Sequence, residues 1–429
     1  MTVLGPLAPL RAHAGQRLTQ GLDDASVERL AVAHPDLAGA IAAAASEYAR
    51  IKDEAADLLD LDEHDQIAAM QAGFVNFYAD DAVVPYIALA ACGPWVVSLK
   101  GAVLYDAGGY GMLGFGHTPA DVMAAAAKPQ VMANIMTPSL AQRRFVQAMQ
   151  KEIGHSRGGC PFSHFMCLNS GSEAVGLAAR IADINAKLQT DPGAPHAGAT
   201  IKRVVIKGSF HGRTDRPALY SDSSRKAYDQ HLASYRGENS VITVPPYDEA
   251  AMRKVFADAK ANNWFIEAVF LEPVMGEGDP GRAVPASFYK LVRELTREHG
   301  SLLLIDSIQA ALRAHGTLSF VDYPGYETLD PPDMETYSKA LNGAQFPLSV
   351  LAVTEHAAKL YRKGVYGNTM TTNPRALDVA VATLARLSPE VRQNIRVRGE
   401  QAVQKLEALK AKLGGLITKV QGTGLLFSC

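Results

Sequence analysis

From residue 162 onward the chain alternates short, β-rich apolar runs with amphipathic helical patterns, and few folds satisfy that rhythm. The runs lie at 162–168, 203–206, 241–244, 266–271, 302–305, 334–337 and 348–353. Helical patterns at 173–188, 249–261, 286–299 and 374–387 separate several of them. Strands buried on both faces read as continuous apolar stretches, as 302–305 (Leu-Leu-Leu-Ile) does. The expectation is an α/β architecture: a mostly parallel central sheet with helices on both faces.

The flanks differ. Residues 1–75 are Ala-rich and helical in pattern, and residues 375–429 read as charged amphipathic helix followed by a strand near 416–420, part of a smaller α+β domain. Residues 76–374 form the large domain between them. A length of 429 residues fits two or three such parts. The Pro/Gly-rich stretch 321–332 interrupts the rhythm as an insertion. Forty-two Lys plus Arg against 44 Asp plus Glu leave no basic excess for a nucleic-acid backbone. Four scattered cysteines, none in a C-x-x-C pair, exclude a disulfide framework and suggest neither zinc nor another metal; they fit a reducing, cytoplasmic setting. The uncharged run 82–99 reaches membrane-spanning length, but Pro85, Gly93 and Pro94 break it. It reads as a buried loop leading into a strand at 95–98, and the N-terminus carries no basic leader, so a soluble protein is expected.

Two glycine loops compete for a ligand. Gly109-Tyr-Gly-Met-Leu-Gly114 satisfies the dinucleotide pattern, but residues 131–139 offer no acidic partner for a ribose. A plain turn explains it. Asn169-Ser-Gly-Ser-Glu-Ala174 follows a strand and opens a long helix, where free amides and two hydroxyls suit a phosphate. A simple helix cap by Ser170 or Ser172 is the alternative.

Asn169-Ser-Gly-Ser-Glu-Ala, Phe210-His-Gly-Arg, Glu272-Pro-Val-Met-Gly-Glu-Gly, Asp306-Ser-Ile-Gln309 and Ser338-Lys339-Ala-Leu occur in that order. Together they resemble the class III (ω-type) aminotransferases of pyridoxal-phosphate fold type I, over about two-thirds of the chain. The resemblance implies that Lys339 supplies the amine for a Schiff base with pyridoxal 5′-phosphate and then moves the α-proton. Asp306 would pair with the pyridine nitrogen, Phe210 (beside His211) would lie on the ring face, and Gln309 would bind the ring hydroxyl. Ser170, Gly171 and Ser172 would form the phosphate cup, and Glu272 would match a glutamate that pairs with a C-terminal arginine. Thr369 would reach the phosphate of a neighbouring subunit, which implies a homodimer with shared active sites.

Departures from the pattern are informative. Ser307 stands where the family usually has a second carboxylate, and Met370-Thr-Thr372 replaces a glycine-bearing turn. The family's substrate-carboxylate arginine would fall beyond Cys429, which leaves Glu272 to find another cation, be solvated or be protonated. Arg143, Arg144 and Arg213 are the upstream cations available to a substrate, each with a structural alternative. The leading expectation is ping-pong transfer of an amino group from an amine or amino acid to a keto acid. The same apparatus also serves an aminomutase, decarboxylase or racemase. A non-catalytic cofactor-binding protein and a nicotinamide oxidoreductase are the readings from other classes.

Overall fold

The computed structural model describes residues 3–429 and divides into two compact units, Met1–Met123 and Ala124–Cys429. No helix among the described residues is long and apolar enough to cross a membrane.

The first unit is built on a three-stranded antiparallel meander: β1 (Ala88–Cys92), β2 (Trp95–Ser98) and β3 (Val103–Tyr105). The helix Pro35–Ile51 buries Leu37, Ala40, Ile41 and Ala44 in one core with Trp95, Val97 and Val103. The stretch expected as a buried loop is therefore partly strand. Gly93-Pro94, read as a break, is the turn of the β1–β2 hairpin, with Cys92 opposite Trp95 and Gly93 in the left-handed region at φ 55°.

The second unit carries a seven-stranded sheet made of β4 (His164–Leu168), β5 (Thr200–Ile206), β6 (Val241–Val244), β7 (Trp264–Leu271), β8 (Leu302–Asp306), β9 (Met334–Tyr337) and β10 (Ser349–Val353). Their spatial order is β4-β10-β9-β8-β7-β5-β6. Pairs among β9, β8, β7, β5 and β6 are parallel, and β10 runs antiparallel to both β4 and β9. Period-two alternation feeds two cores. Val269, Leu271, Leu303 and Ile305 pack against the helices Glu249–Ala261 and Ala286–His299. Ala268, Phe270, Leu302 and Leu304 pack against the helix Gly171–Thr190. A sheet sandwiched in this way explains why 302–305 is apolar at every position.

The stretch 321–332 is tied down by aromatics rather than projecting as an insertion. Tyr326 lies 4.7 Å from Phe320 and 6.1 Å from Tyr289, ring to ring, and the Tyr289 hydroxyl donates to the Asp330 carbonyl at 2.6 Å. The tail differs from expectation in register. Residues 416–420 are not a strand; the hairpin β11 (Gln421–Thr423) and β12 (Leu426–Ser428) follows them. Leu426 sends its side chain into the first of the two cores, whereas Leu416 is 82% exposed, so burial falls later than the apolar pattern indicated.

Candidate active site

Parallel strands deliver their C-terminal ends to one edge of a sheet, and loops leaving that edge are where α/β proteins bind ligands. Here β8 ends at Asp306, β7 is followed by Glu272, β5 leads into Phe210-His211-Gly212, and β9 leads into Lys339. Strand β4 runs parallel to these and leads into Ser170-Gly171-Ser172.

Asp306 is the hub. Its Oδ1 accepts from the Thr336 hydroxyl at 3.0 Å, on the neighbouring strand, and from the Ile308 amide at 3.2 Å. Its Oδ2 meets His211 Nδ1 at 2.8 Å. A carboxylate has about four acceptor positions, so these three contacts leave room for one more donor. His211 is buried, and its Nε2 has no hydrogen-bond partner among the described residues. The histidine amide is fixed by the Ser221 hydroxyl at 2.9 Å. A buried polar atom left over beside a carboxylate with a vacant lone pair marks a site made for a further polar group.

Lys339 opens the short turn Lys339–Asn342 with φ 44°, a left-handed conformation unusual for a residue with a side chain. Ser338 holds that turn by donating its hydroxyl to the Leu348 carbonyl at 2.9 Å. The Lys339 Nζ donates to Gln309 Oε1. Burial is the main cause that lowers the Lys339 pKa; the Arg313 charge adds to it, and Asp306, Glu277 and Glu272 oppose it. A lysine shifted this way holds more of the neutral amine that a nucleophile or base requires.

The helix starting at Gly171 is capped reciprocally: the Ser170 hydroxyl accepts from the Glu173 amide, and Glu173 Oε2 accepts from the Asn169 amide at 2.8 Å and the Ser170 amide at 3.2 Å. Ser170 therefore does serve as a plain cap. The first-turn amides of Gly171 and Ser172 and the Ser172 hydroxyl are the groups this end of the helix offers an anion. A Cβ on Gly171 would stand 2.7 Å from Ile308 Cδ1, so a larger residue would have to push the end of that side chain aside. Gly212, at φ 104°, likewise leaves space for the Ser172 hydroxyl, which an added Cβ would meet at 2.2 Å.

Glu272 is buried, and no cation among the described residues lies within ion-pair distance of it. Its Oε1 accepts from the Phe210 amide at 2.9 Å and its Oε2 from the Gly276 amide at 2.8 Å. Burial raises its pKa to about 7, His211 and the two amides pull it down, and Asp306 raises it further. Phe210 is half-buried, with the Arg213 guanidinium 4.8 Å above its ring. Arg144 is engaged by Asp378 through two bonds of 2.8 and 2.7 Å, which makes it structural. Thr369 is exposed on a loop; its neighbour Asn368 donates to Glu173 Oε1 at 3.1 Å.

The carboxylate expected to be missing at Ser307 is supplied from another strand. The Ser307 hydroxyl donates to Glu335 Oε1 at 2.6 Å, and Glu335 also accepts from the Ser319 hydroxyl at 2.6 Å and the Phe320 amide at 2.8 Å. Glu335 is fully buried, and that burial pushes its pKa up to about 7. Neither Glu335 nor Arg313 was singled out from the sequence. The Gly109–Gly114 loop follows β3 of the antiparallel meander, where Asp106 accepts from the Gly108 and Gly109 amides at 3.1 and 2.7 Å. A dinucleotide site needs a parallel βαβ unit, and this turn is not in one.

The sequence profile of the family Aminotransferase class-III matches residues 77–429. An acetylornithine aminotransferase from Xanthomonas axonopodis pv. citri (strain 306) is 31% identical over 330 residues, covering 74% of this chain and 72% of that protein. Among solved structures, the ornithine aminotransferase of Toxoplasma gondii ME49 superposes with a TM-score of 0.70 at 23% identity, over 88% of this chain and 84% of the other. The acetylornithine aminotransferase of Elizabethkingia anophelis gives 0.66 at 24% identity, over 85% and 84%. The chain belongs to the class III aminotransferases, which are pyridoxal-phosphate-dependent enzymes.

Proposed function

We propose, from that membership, that the edge formed by Lys339, Asp306, His211 and Ser170–Ser172 is the active site for ping-pong transfer of an amino group from an amine or amino acid to a keto acid. The observation that carries the proposal is the conjunction of a half-buried, pKa-lowered Lys339 with Asp306 and its one vacant acceptor position. Bound there, pyridoxal phosphate supplies an electron sink at its ring. The protein's tasks are to hold and to move protons. Asp306 would accept the ring N–H and favour its charged form, with His211 and Thr336 fixing the carboxylate. Gly171, Ser172 and the helix end would hold the phosphate. Phe210 would contact the ring, Gln309 holds Lys339 Nζ, and that amine would take the α-proton of the donor and return it to the acceptor. The donor leaves as its carbonyl compound and the keto acid leaves as an amino acid, so nitrogen and protons balance over two half-reactions.

The same reading includes a homodimer. Edge strand β4 lines an open cavity of about 1140 Å³ together with Ile135, Met136, Tyr366, Gly367, Asn368, Thr371 and Thr372. Ile135, Met136 and Met370 are 64, 74 and 73% exposed, an apolar surface suited to a second copy. Thr369 lies next to Met370 and is accordingly proposed to serve the phosphate of the partner subunit. Four free cysteines agree with a reducing compartment such as the cytoplasm.

Borohydride reduction of the cofactor-loaded protein followed by peptide mapping is the test. A pyridoxyl mass on Lys339 is expected; label on another lysine, or on none, sinks the assignment. Mixing Lys339→Ala subunits with Thr369→Ala subunits should restore part of the activity if the sites are shared.

A further inference from the structure

Strand β8 ends in Asp306 and β9 leads into Lys339, and two successive residues of β9 hold the end of β8. On one face of the sheet the Thr336 hydroxyl donates to Asp306 Oδ1 at 3.0 Å. On the other the Ser307 hydroxyl donates to Glu335 Oε1 at 2.6 Å. Between them the Thr336 carbonyl accepts from the Ser307 amide at 3.1 Å. The register sets Ile305 beside Glu335 and Asp306 beside Thr336, so period-two alternation sends the two grips to opposite sides.

Glu335 is a costly residue for that place. It is fully buried, and no cation among the described residues pairs with it. In a strand buried at every position an apolar residue would often stabilise as well. What the carboxyl group adds is a convergence of bonds. Its Oε1 also accepts from the Phe320 amide at 2.8 Å, and its Oε2 accepts from the Ser319 hydroxyl at 2.6 Å. Ser307, Ser319 and Phe320 are themselves buried, so an apolar side chain at 335 would orphan all three donors. The Ser307 carbonyl in turn accepts from the Ala311 amide at 2.8 Å, which roots the turn that presents Gln309 to Lys339 Nζ.

We propose that Glu335 is a positioning residue for the transfer reaction: through Ser307 it sets how Asp306 and Gln309 stand relative to Lys339. The proposal rests on Asp306 meeting the cofactor ring, and it gives Glu335 no contact with cofactor or substrate. Ser319 is the internal control. The same carboxyl group holds it at the same distance, yet among the described residues it hydrogen-bonds to none of Asp306, Gln309 and Lys339.

The test compares cofactor-loaded wild type with Ser307→Ala, Ser319→Ala, Glu335→Gln and the Ser307→Ala/Glu335→Gln double variant. Three quantities are read: the denaturant midpoint, the pH at which the visible absorbance of the bound cofactor changes, and turnover. Each serine variant loses one bond to the same carboxyl group, so their denaturant midpoints should fall by similar amounts. Of the two, only Ser307→Ala should move the absorbance midpoint, by about 0.4–1 pH unit, the worth of one hydrogen bond. It should also lower kcat about two- to tenfold while KM stays within about twofold. Glu335→Gln should move the same readouts, and the double variant should match the larger single effect, as residues of one network do. Equal absorbance shifts in the two serine variants, no shift in either, or fully additive effects of Ser307→Ala and Glu335→Gln would overturn the proposal. An Asp306→Asn enzyme with the wild-type absorbance midpoint would overturn the placement of the ring, and the proposal with it.

Discussion

Gly109–Gly114 and Asn169–Ala174 look alike on paper: each follows a strand, carries glycine and opens a helix. The first leaves an antiparallel meander and has its amides capped by Asp106. The second leaves the edge of a seven-stranded sheet to which four other loops bring Lys339, Asp306, Glu272 and His211. The difference teaches that a glycine loop acquires chemistry from the strand beneath it. Strand β4 has an antiparallel neighbour, β10, yet points the same way as β9, β8, β7 and β5, so their loops reach the edge its own loop leaves. In the meander, successive strands alternate in direction.

That contrast can be broken most severely at Lys339. Lys339→Ala should lower turnover by at least about 10²–10⁴-fold, the range a positioned general base supplies, whereas Gly114→Ala should leave turnover within twofold or so, since nothing lies within 4 Å of the added carbon. Comparable losses in both variants would erase the distinction. Next is Asp306→Asn. It removes a charge-assisted bond worth about 1.5–3 kcal/mol, so the half-reaction with an amino donor should slow by roughly ten- to hundredfold and by more than cofactor affinity falls. Undiminished single-turnover rates would show that the cofactor ring does not meet this carboxylate.

A smaller effect comes from Gly171→Ala. The new methyl would press on Ile308, and overpacking costs about 1–3 kcal/mol. Cofactor affinity should drop roughly tenfold, measured by equilibrium dialysis; an unaltered value would show that the phosphate binds elsewhere. The smallest effect is a pH slope. Glu272 and Glu335 have folded-state pKa values raised from 4.5 to about 7 by burial. The stability they contribute is therefore complete below about pH 4.5 and is lost as the pH rises to 7, at no more than about 1.4 kcal/mol per pH unit for each group. Denaturant midpoints between pH 5 and 7 should fall with rising pH, and Glu335→Gln should flatten the slope. A slope identical to wild type would place the titrating proton outside that network.

Lys339, Asp306, Gln309 and Glu272 could be named as candidates because each sits in a short run whose neighbours constrain it, and strands such as 302–305 and 334–337 were legible because they are buried at every position. Glu335 was not. It lies in a strand, 28 residues from the serine it serves, and only the β8–β9 pairing puts them side by side. The meander strands β1 and β3 escaped because they are three to five residues long and half-exposed, and the proline and glycines around them signal turns as readily as breaks.

The seating of β10 between β4 and β9 has a temporal consequence. Strand β4 cannot pair until β10 exists, and the Ser349 hydroxyl that braces the Ser170 carbonyl lies 179 residues further along the chain. At a synthesis rate of about 5–20 residues per second, the Ser170 turn leaves the ribosome many seconds before the strand that will hold it. Closing a contact of that span is entropically slow and leaves the lone β4 open to wrong partners meanwhile. Lys339 emerges just ahead of β10, so the turn at Ser170 gains its brace and the chain gains Lys339 almost together.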